Sequence, residues 1–195
     1  MKRPILAAWM TIAAALSGGP ALAQEMTTQS LMAKAVNAPA ADNWTVFGSG
    51  ETHKMVKDDT VPGGYALTVT VPRAGEHPWD IEAGIALPVP VKKGDVLLFA
   101  FWGRALSVPP ETQTVHVNGR MQQTREPYTG IGDAALTVGT EWKLYYVSGT
   151  APQDFAAGEA GAGLQLATGP QTVALGPLFV LDFGPGYDLG KLPKN

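Results

Sequence analysis

The chain has 195 residues, with 14 basic and 17 acidic side chains, and it contains no cysteine. The acidic balance gives no basic footprint for nucleic acid, and the lack of cysteine excludes disulfide bonds and thiolate chemistry. The 23 glycines and 16 prolines follow no repeating period, which excludes a collagen-like or low-complexity chain.

The first 23 residues have the layout of a secretory signal peptide. Lys2 and Arg3 precede a short apolar run, and an Ala-Leu-Ala sequence ends at Ala23, where we expect cleavage. No apolar stretch approaches the roughly 20 residues of a membrane helix. We therefore predict a secreted or periplasmic protein without a transmembrane segment. Its mature chain has 12 basic residues, because two of the 14 are removed, and 17 acidic ones, a formal charge of −5.

The remaining 172 residues suit one domain of ordinary size. We predict a flexible leader over residues 24–41, in which Thr28–Val36 is the only segment with a helical pattern, a domain over residues 42–184, and a tail over residues 185–195.

Short alternating segments from Trp44 onward predict strands. Turns with Gly, Pro, Asn or Asp separate them, among them Asn118–Arg120 and Thr129–Asp133. This spacing predicts an all-β fold, a two-sheet antiparallel β-sandwich. The predicted strands are Trp44–Phe47, Ala66–Val71, Asp80–Leu87, Val96–Ala105, Thr112–Asn118, Ala134–Val138, Glu141–Gly149, Ala162–Ala167, Gln171–Leu175 and Leu178–Phe183.

Alternation assigns the side chains of the strand FAFWGRAL to two faces. Phe99 and Phe101 share one face, which we expect to lie in the core. Trp102 and Arg104 share the other. Arg104 is expected either to contact a ligand or to pair with Asp80 or Glu82 on an adjacent strand.

Four segments together resemble a carbohydrate-binding module of the group of families four, nine and twenty-two: Pro78–Leu106, TVHVNG, Thr140–Phe155 and Gly176–Gly184. They carry a Trp-Asp pair, a Lys-Gly-Asp turn before Phe-Trp-x-Arg, a Glu-Trp-x-x-Tyr strand and an Asp in the last strand. The resemblance covers residues 42–184. It implies a galactose-binding-like jelly roll that holds a poly- or oligosaccharide on its concave sheet. A glycoside hydrolase or esterase acting on the same glycan is an implied partner.

The concave sheet is expected to offer an aromatic platform and convergent polar groups. An indole packs well against the C–H face of a sugar ring, and polar side chains bind its hydroxyls. Gln122 lies beside these candidates, whereas Trp44 and Trp142 are expected in the core. The predicted sugar contacts are Trp79, Asp80, Glu82, Trp102, Arg104, Gln113, His116, Tyr128 and Gln165.

Two other functions fit the same pattern. Asp80 and Glu82 lie about 7 Å apart on one strand face, close to the separation in inverting glycosidases, but those carboxylates must flank the scissile bond. We therefore predict a non-catalytic protein. A module for protein–protein assembly is the second alternative, because the fold does not decide the ligand.

No cofactor is required for binding. The resemblance implies a structural Ca²⁺ near the last strand, with Asp182 as the matching carboxylate. The N-terminal segment AADNWTVFGSG lacks the acidic partner that such modules often carry.

Overall fold

The computed structural model describes residues 28–108 and 111–195, so the predicted signal peptide lies outside the described residues. Two antiparallel sheets of five strands each form a sandwich, which confirms the predicted fold class. The front sheet has the order β1-β4-β9-β6-β7, and the back sheet has the order β2-β3-β10-β5-β8. The strands are β1 (Thr45–Gly48), β2 (Thr52–Lys57), β3 (Tyr65–Val71), β4 (Ile81–Ala86), β5 (Asp95–Ser107), β6 (Thr114–Gln123), β7 (Gly130–Gly139), β8 (Lys143–Thr150), β9 (Ala160–Gln165) and β10 (Gln171–Pro185).

The main core lies between the two sheets. Phe99 and Phe101 are fully buried there and stack at 5.4 Å between ring centroids. Trp44 packs edge-on against both rings, and its indole N–H donates to the carbonyl of Gly176 at 2.7 Å. The core positions predicted for these three aromatic residues are therefore confirmed.

Two segments predicted as turns are parts of strands instead. Asn118–Arg120 lies within β6, and most of Thr129–Asp133 lies within β7. Their glycines permit close packing of the sheets: a Cβ on Gly119 would lie 2.5 Å from Cγ2 of Val147, and one on Gly132 would overlap the carbonyl of Ser148. A glycine required by a close approach carries the same sequence signal as a glycine required by a turn.

Two other differences concern the back sheet. The edge strand β2 was not predicted, because all six of its residues are exposed and its sequence shows no buried face. Strand β10 is continuous where two strands were predicted. The Gly-Pro pair between them produces a register shift between Leu175 and Leu178 and does not end the strand.

The outer face of the back sheet is covered by both ends of the described chain. A short helix, α1 (Thr28–Met32), places Leu31 in this second apolar layer, and the tail adds Leu192. Asn195 exchanges two hydrogen bonds with the backbone of Tyr146 at 2.9 and 2.8 Å. The described part of the predicted flexible leader and the tail are thus packed, because they cover apolar side chains of the sheet. Within residues 28–108 and 111–195, no helix is long and apolar enough to cross a membrane.

Candidate functional site

A cleft of about 320 Å³ lies on the outer face of the front sheet. This volume falls at the small end of the range for ligand sites. The outward positions of three adjacent strands form most of its floor, because their inward neighbours fill the core. Those outward residues are Glu82, Gly84 and Ala86 of β4, Gly161 and Gly163 of β9, and Arg120 and Gln122 of β6.

Glycines keep the centre of this floor open. A Cβ on Gly84 would lie 2.7 Å from the carbonyl oxygen of Ala162. One on Gly163 would lie 2.9 Å from the carbonyl oxygen of Ala83 and 3.0 Å from Oε1 of Glu82. Only a residue without a side chain fits these positions unchanged. The backbone of β4 and β9 therefore forms a flat surface on which a planar ligand face can lie.

Exposed aromatic rings border the cleft at both ends of the strands. Trp79, 55% exposed, precedes β4, and Tyr128, 48% exposed, follows β6. Strands β4 and β6 run in the same direction, because both are antiparallel to β9. Phe47, exposed on β1 opposite Glu82, adds a third ring beside Trp79. Large exposed aromatics in a concave surface are typical of a binding site.

Trp79 lies in a 3₁₀ turn (Pro78–Asp80) that its neighbours fix. The ring of His77 stacks on the indole at 4.6 Å between centroids, with the planes 16° apart. The Asp80 carboxylate accepts the backbone N–H of His77 at 2.9 Å. Asp80 therefore closes the turn, and it lines a separate groove with Gly48 and Arg73. It does not line the cleft that Trp79 and Glu82 share, because the 3₁₀ turn interrupts the alternation assumed for a strand, and its sugar contact stays a prediction.

Glu82 and Arg120 supply opposite charges to the cleft. Burial raises the pKa of the Glu82 carboxyl, and the guanidinium of Arg120 offsets only part of that effect. Nε of Arg120 is buried without a hydrogen-bond partner. No hydrogen bond or ion pair joins the two side chains within the described ranges. Both side chains line the cleft, and neither has a hydrogen bond or ion pair to another described residue.

Three predicted residues do not line the cleft. Gln165 is on the outer face, 5% exposed, between Glu82 and Asn118 in register. His116 is on the same face of β6, further from the walls, where its ring contacts Thr137 at 3.3 Å. Gln113 lies in the turn before β6 with a φ of 57°. Their sugar contacts stay predictions.

Trp102 and Arg104 lie in β5 of the back sheet, so the prediction that they lie beside Asp80 and Glu82 in one sheet is wrong. Nη2 of Arg104 bonds Asp58 at 2.9 Å, and the guanidinium lies 4.9 Å from the ring centre of Trp142. Trp102 packs among the apolar residues that cover the back sheet. Period-two alternation distinguishes the two faces of a strand, but it does not reveal to which sheet the strand belongs.

Asp182 lies at the far end of β10, beside the buried Asp95. The pKa of the Asp182 carboxyl is raised, because the effects of burial and of the neighbouring Asp95 are larger than the opposing ones. The opposing effects come from the N–H of Gly184, donated at 2.7 Å, and from the charge of Lys34. The described residues contain no group of three or more His, Cys, Asp or Glu side chains arranged for a metal ion. A calcium ion here would have two carboxylates and would need backbone carbonyls as well. It stays a prediction.

The sequence-based prediction missed Phe47, Arg120 and the floor glycines. Extending β6 through Gly119 would have found Arg120, because it then shares a face with His116 and Gln122. Phe47 carries no such signal. Its strand is short and exposed, and its importance comes from its register opposite Glu82.

This sandwich has the fold of carbohydrate-binding modules of families 4 and 22, which confirms the expected jelly roll. A second N-terminal cellulose-binding domain of Cellulomonas fimi β-1,4-glucanase C matches with a TM-score of 0.57 at 15% identity, over 78% of this chain and 95% of that domain. A family 4 module (CBM4) matches with a TM-score of 0.56 at 18% identity, over 72% and 95% of the two chains. The CBM22-1 xylan-binding domain of Paenibacillus barcinonensis Xyn10C gives 0.55 at 11% identity, over 78% and 94%. No family model and no curated protein matches the sequence.

Proposed function

We propose that this protein is an exported, non-catalytic module that binds a poly- or oligosaccharide in the cleft of the front sheet. The observation that carries the proposal is the pair of exposed rings, Trp79 and Tyr128, at opposite ends of a glycine floor. Nothing in the packing of the sandwich requires two large rings to remain half-exposed there. Apolar area that stays in contact with water favours a ligand that covers it.

The chemistry of the cleft suits sugar rings. Each aromatic ring offers a flat surface for the C–H face of a pyranose and has little conformational entropy to lose. The carboxylate of Glu82 accepts hydrogen bonds from hydroxyls, and the guanidinium of Arg120 donates to them. A few polar groups on a largely apolar surface fix the orientation of a ligand.

The arrangement of carboxylates supports binding without hydrolysis. Glu82 is the one carboxylate among the described residues that line the cleft. Glycosidases of the common kind use two carboxylates on either side of the scissile bond. Asp80, the expected second carboxylate, is engaged in its own turn.

The similar structures suggest which glycans to test. One neighbour is a cellulose-binding domain and another is a xylan-binding domain. We therefore propose a plant-type polysaccharide as the ligand, and a glycoside hydrolase or esterase that acts on the same glycan as the functional partner.

Isothermal titration with cellohexaose and xylohexaose tests the proposal. We expect the wild-type protein to bind at least one of them, and Trp79→Ala and Tyr128→Ala each to weaken binding roughly tenfold, about 1.4 kcal/mol for the lost stacking contact. Tyr65→Ala is the matched control, because Tyr65 is an equally exposed aromatic on the back sheet. Absence of binding to both hexasaccharides and to glycan arrays would contradict the proposal and favour the protein-assembly alternative.

A further inference from the structure

Tyr128 is held in an unusual backbone conformation. Its φ is 54°, in the left-handed region that is unfavourable for a residue other than glycine. Its backbone N–H donates to the carbonyl of Arg125 at 2.8 Å, closing a tight turn at the end of the cleft. Such a conformation persists only where the surrounding structure fixes it. The neighbouring contacts therefore identify the residues that hold the ring in place.

Contacts to the segment between β6 and β7 converge on Glu159, the residue directly before β9. Its carboxylate bonds the guanidinium of Arg125, and its other oxygen accepts the N–H of Ala156 at 3.0 Å. Its backbone carbonyl accepts the N–H of Thr124 at 2.9 Å, while the Thr124 hydroxyl donates to the carbonyl of Gly158 at 3.0 Å. Glu159 thus contacts Thr124 and Arg125, the first two residues of the segment 124–129, which carries Tyr128 between β6 and β7 and is called the Tyr128 loop.

We infer that Arg125 and Glu159 form an ionic clamp that positions Tyr128 as one wall of the cleft. The inference rests on the proposed glycan binding, and it assigns a positioning role to two residues that do not line the cleft. Arg125 is 68% exposed and Glu159 29%, so the ion pair adds little to global stability. Its effect is expected on the segment 124–129 between β6 and β7, where Arg125 lies three residues before Tyr128.

The clamp makes binding of a neutral sugar depend on salt. Raising the salt concentration from about 0.1 M to about 1 M shortens the Debye length from about 10 Å to about 3 Å and weakens an exposed ion pair. A neutral oligosaccharide has no ionic contact of its own to lose. If such a ligand binds more weakly at high salt, the loss is therefore due to the weakened Arg125–Glu159 ion pair. A loop held without this ion pair would not give that salt dependence.

The variant Arg125→Met tests the inference, with Lys57→Met as its matched control. Lys57 of β2 in the back sheet is as exposed as Arg125 and forms an ion pair with Asp59 at 3.0 Å, away from the Tyr128 loop. We expect Arg125→Met to weaken cellohexaose or xylohexaose binding by up to about fivefold and to remove its salt dependence. In the Tyr128→Ala background the same change has no further effect, because the wall it positions is gone. Arg125→Lys is expected to restore part of the affinity.

A second measurement needs no ligand. Hydrogen exchange at the amide of Tyr128 is expected to accelerate in Arg125→Met and to stay unchanged in Lys57→Met. Unchanged exchange at this amide, or an equal loss of affinity in the wild-type and Tyr128→Ala backgrounds, would overturn the inference. Failure of the wild-type protein to bind any glycan would instead refute the proposed function, and the exchange experiment would still decide whether the clamp exists.

Discussion

Glu82 and Arg120 line the same cleft from strands on either side of β9, and they share it without a hydrogen bond or ion pair in the described part of the chain. Burial dominates the pKa of Glu82 and raises it despite the guanidinium. A carboxylate buried in this way destabilises the folded state. The charge of Glu82 therefore lowers the stability of the fold, and we propose that it is kept because it binds a ligand.

Replacing this carboxylate is expected to stabilise the protein. The pKa of Glu82 is higher in the folded state than its ordinary value of 4.5, so the folded state binds the proton more tightly than the unfolded state. Its contribution to stability is therefore fully present at low pH and is lost as the pH rises through the folded pKa. Glu82→Gln removes this penalty at neutral pH. Urea unfolding at pH 7 and pH 4 is expected to give a gain for the variant at pH 7 only, whereas Glu141→Gln, an exposed control, gives none.

The same titration is expected to act on binding in the opposite direction. The ionised carboxylate accepts hydroxyl hydrogen bonds more strongly than the protonated acid, so affinity is expected to fall as the pH drops through the raised pKa of Glu82. Titration calorimetry between pH 7 and pH 4 measures this loss in the wild type. Glu82→Gln is expected to bind more weakly at pH 7 and to show a flat profile. If Glu82→Gln binds as tightly as the wild type at pH 7, Glu82 does not contribute to ligand binding.

Tyr128 is expected to show a similar conflict between binding and stability. Glycine adopts a φ of 54° without strain, so Tyr128→Gly is expected to be about 1 kcal/mol more stable than Tyr128→Ala, while both lose affinity. Thermal or urea unfolding of the two variants makes the comparison. A glycine variant that is less stable than the alanine variant would show that the left-handed backbone is not the source of the cost.

Trp102 is expected to matter for stability and not for binding. Its side chain packs under the chain ends on the back sheet, so Trp102→Ala is expected to cost about 2 kcal/mol or more of unfolding free energy. Affinity measured on the folded variant, at a temperature well below its Tm, is expected to equal that of the wild type. A loss of affinity in the folded Trp102→Ala variant would show that the binding site includes Trp102, as first predicted from the sequence.

Calcium binding at Asp182 has a direct test. A cation between Asp182 and Asp95 would relieve the interaction that raises the pKa of Asp182. We expect Ca²⁺ to raise the Tm of the wild-type protein and a chelator to lower it, with no response in Asp182→Asn. Equal melting curves with Ca²⁺ and with chelator would refute this ion.

The sequence predicted the sandwich because core residues such as Phe99 and Phe101 repeat with period two between turn residues. It also placed Trp79, Glu82 and Tyr128 among the candidates. It put Trp102 and Arg104 in the wrong sheet, because strand order comes from long-range pairing that alternation does not encode. Arg120 was missed because the neighbouring Gly119 was interpreted as part of a turn, whereas this glycine lies in β6 and permits close packing of the two sheets.

The most direct test of the account is an NMR titration of the tryptophan indole N–H signals with cellohexaose and with xylohexaose. Trp44, Trp79, Trp102 and Trp142 each contribute one signal from a known position in the sandwich. A cleft on the front sheet predicts a large, saturable shift of the Trp79 signal, with the signals of Trp102 and Trp142 unchanged. A saturable shift of Trp102 or Trp142 while Trp79 stays constant would contradict it.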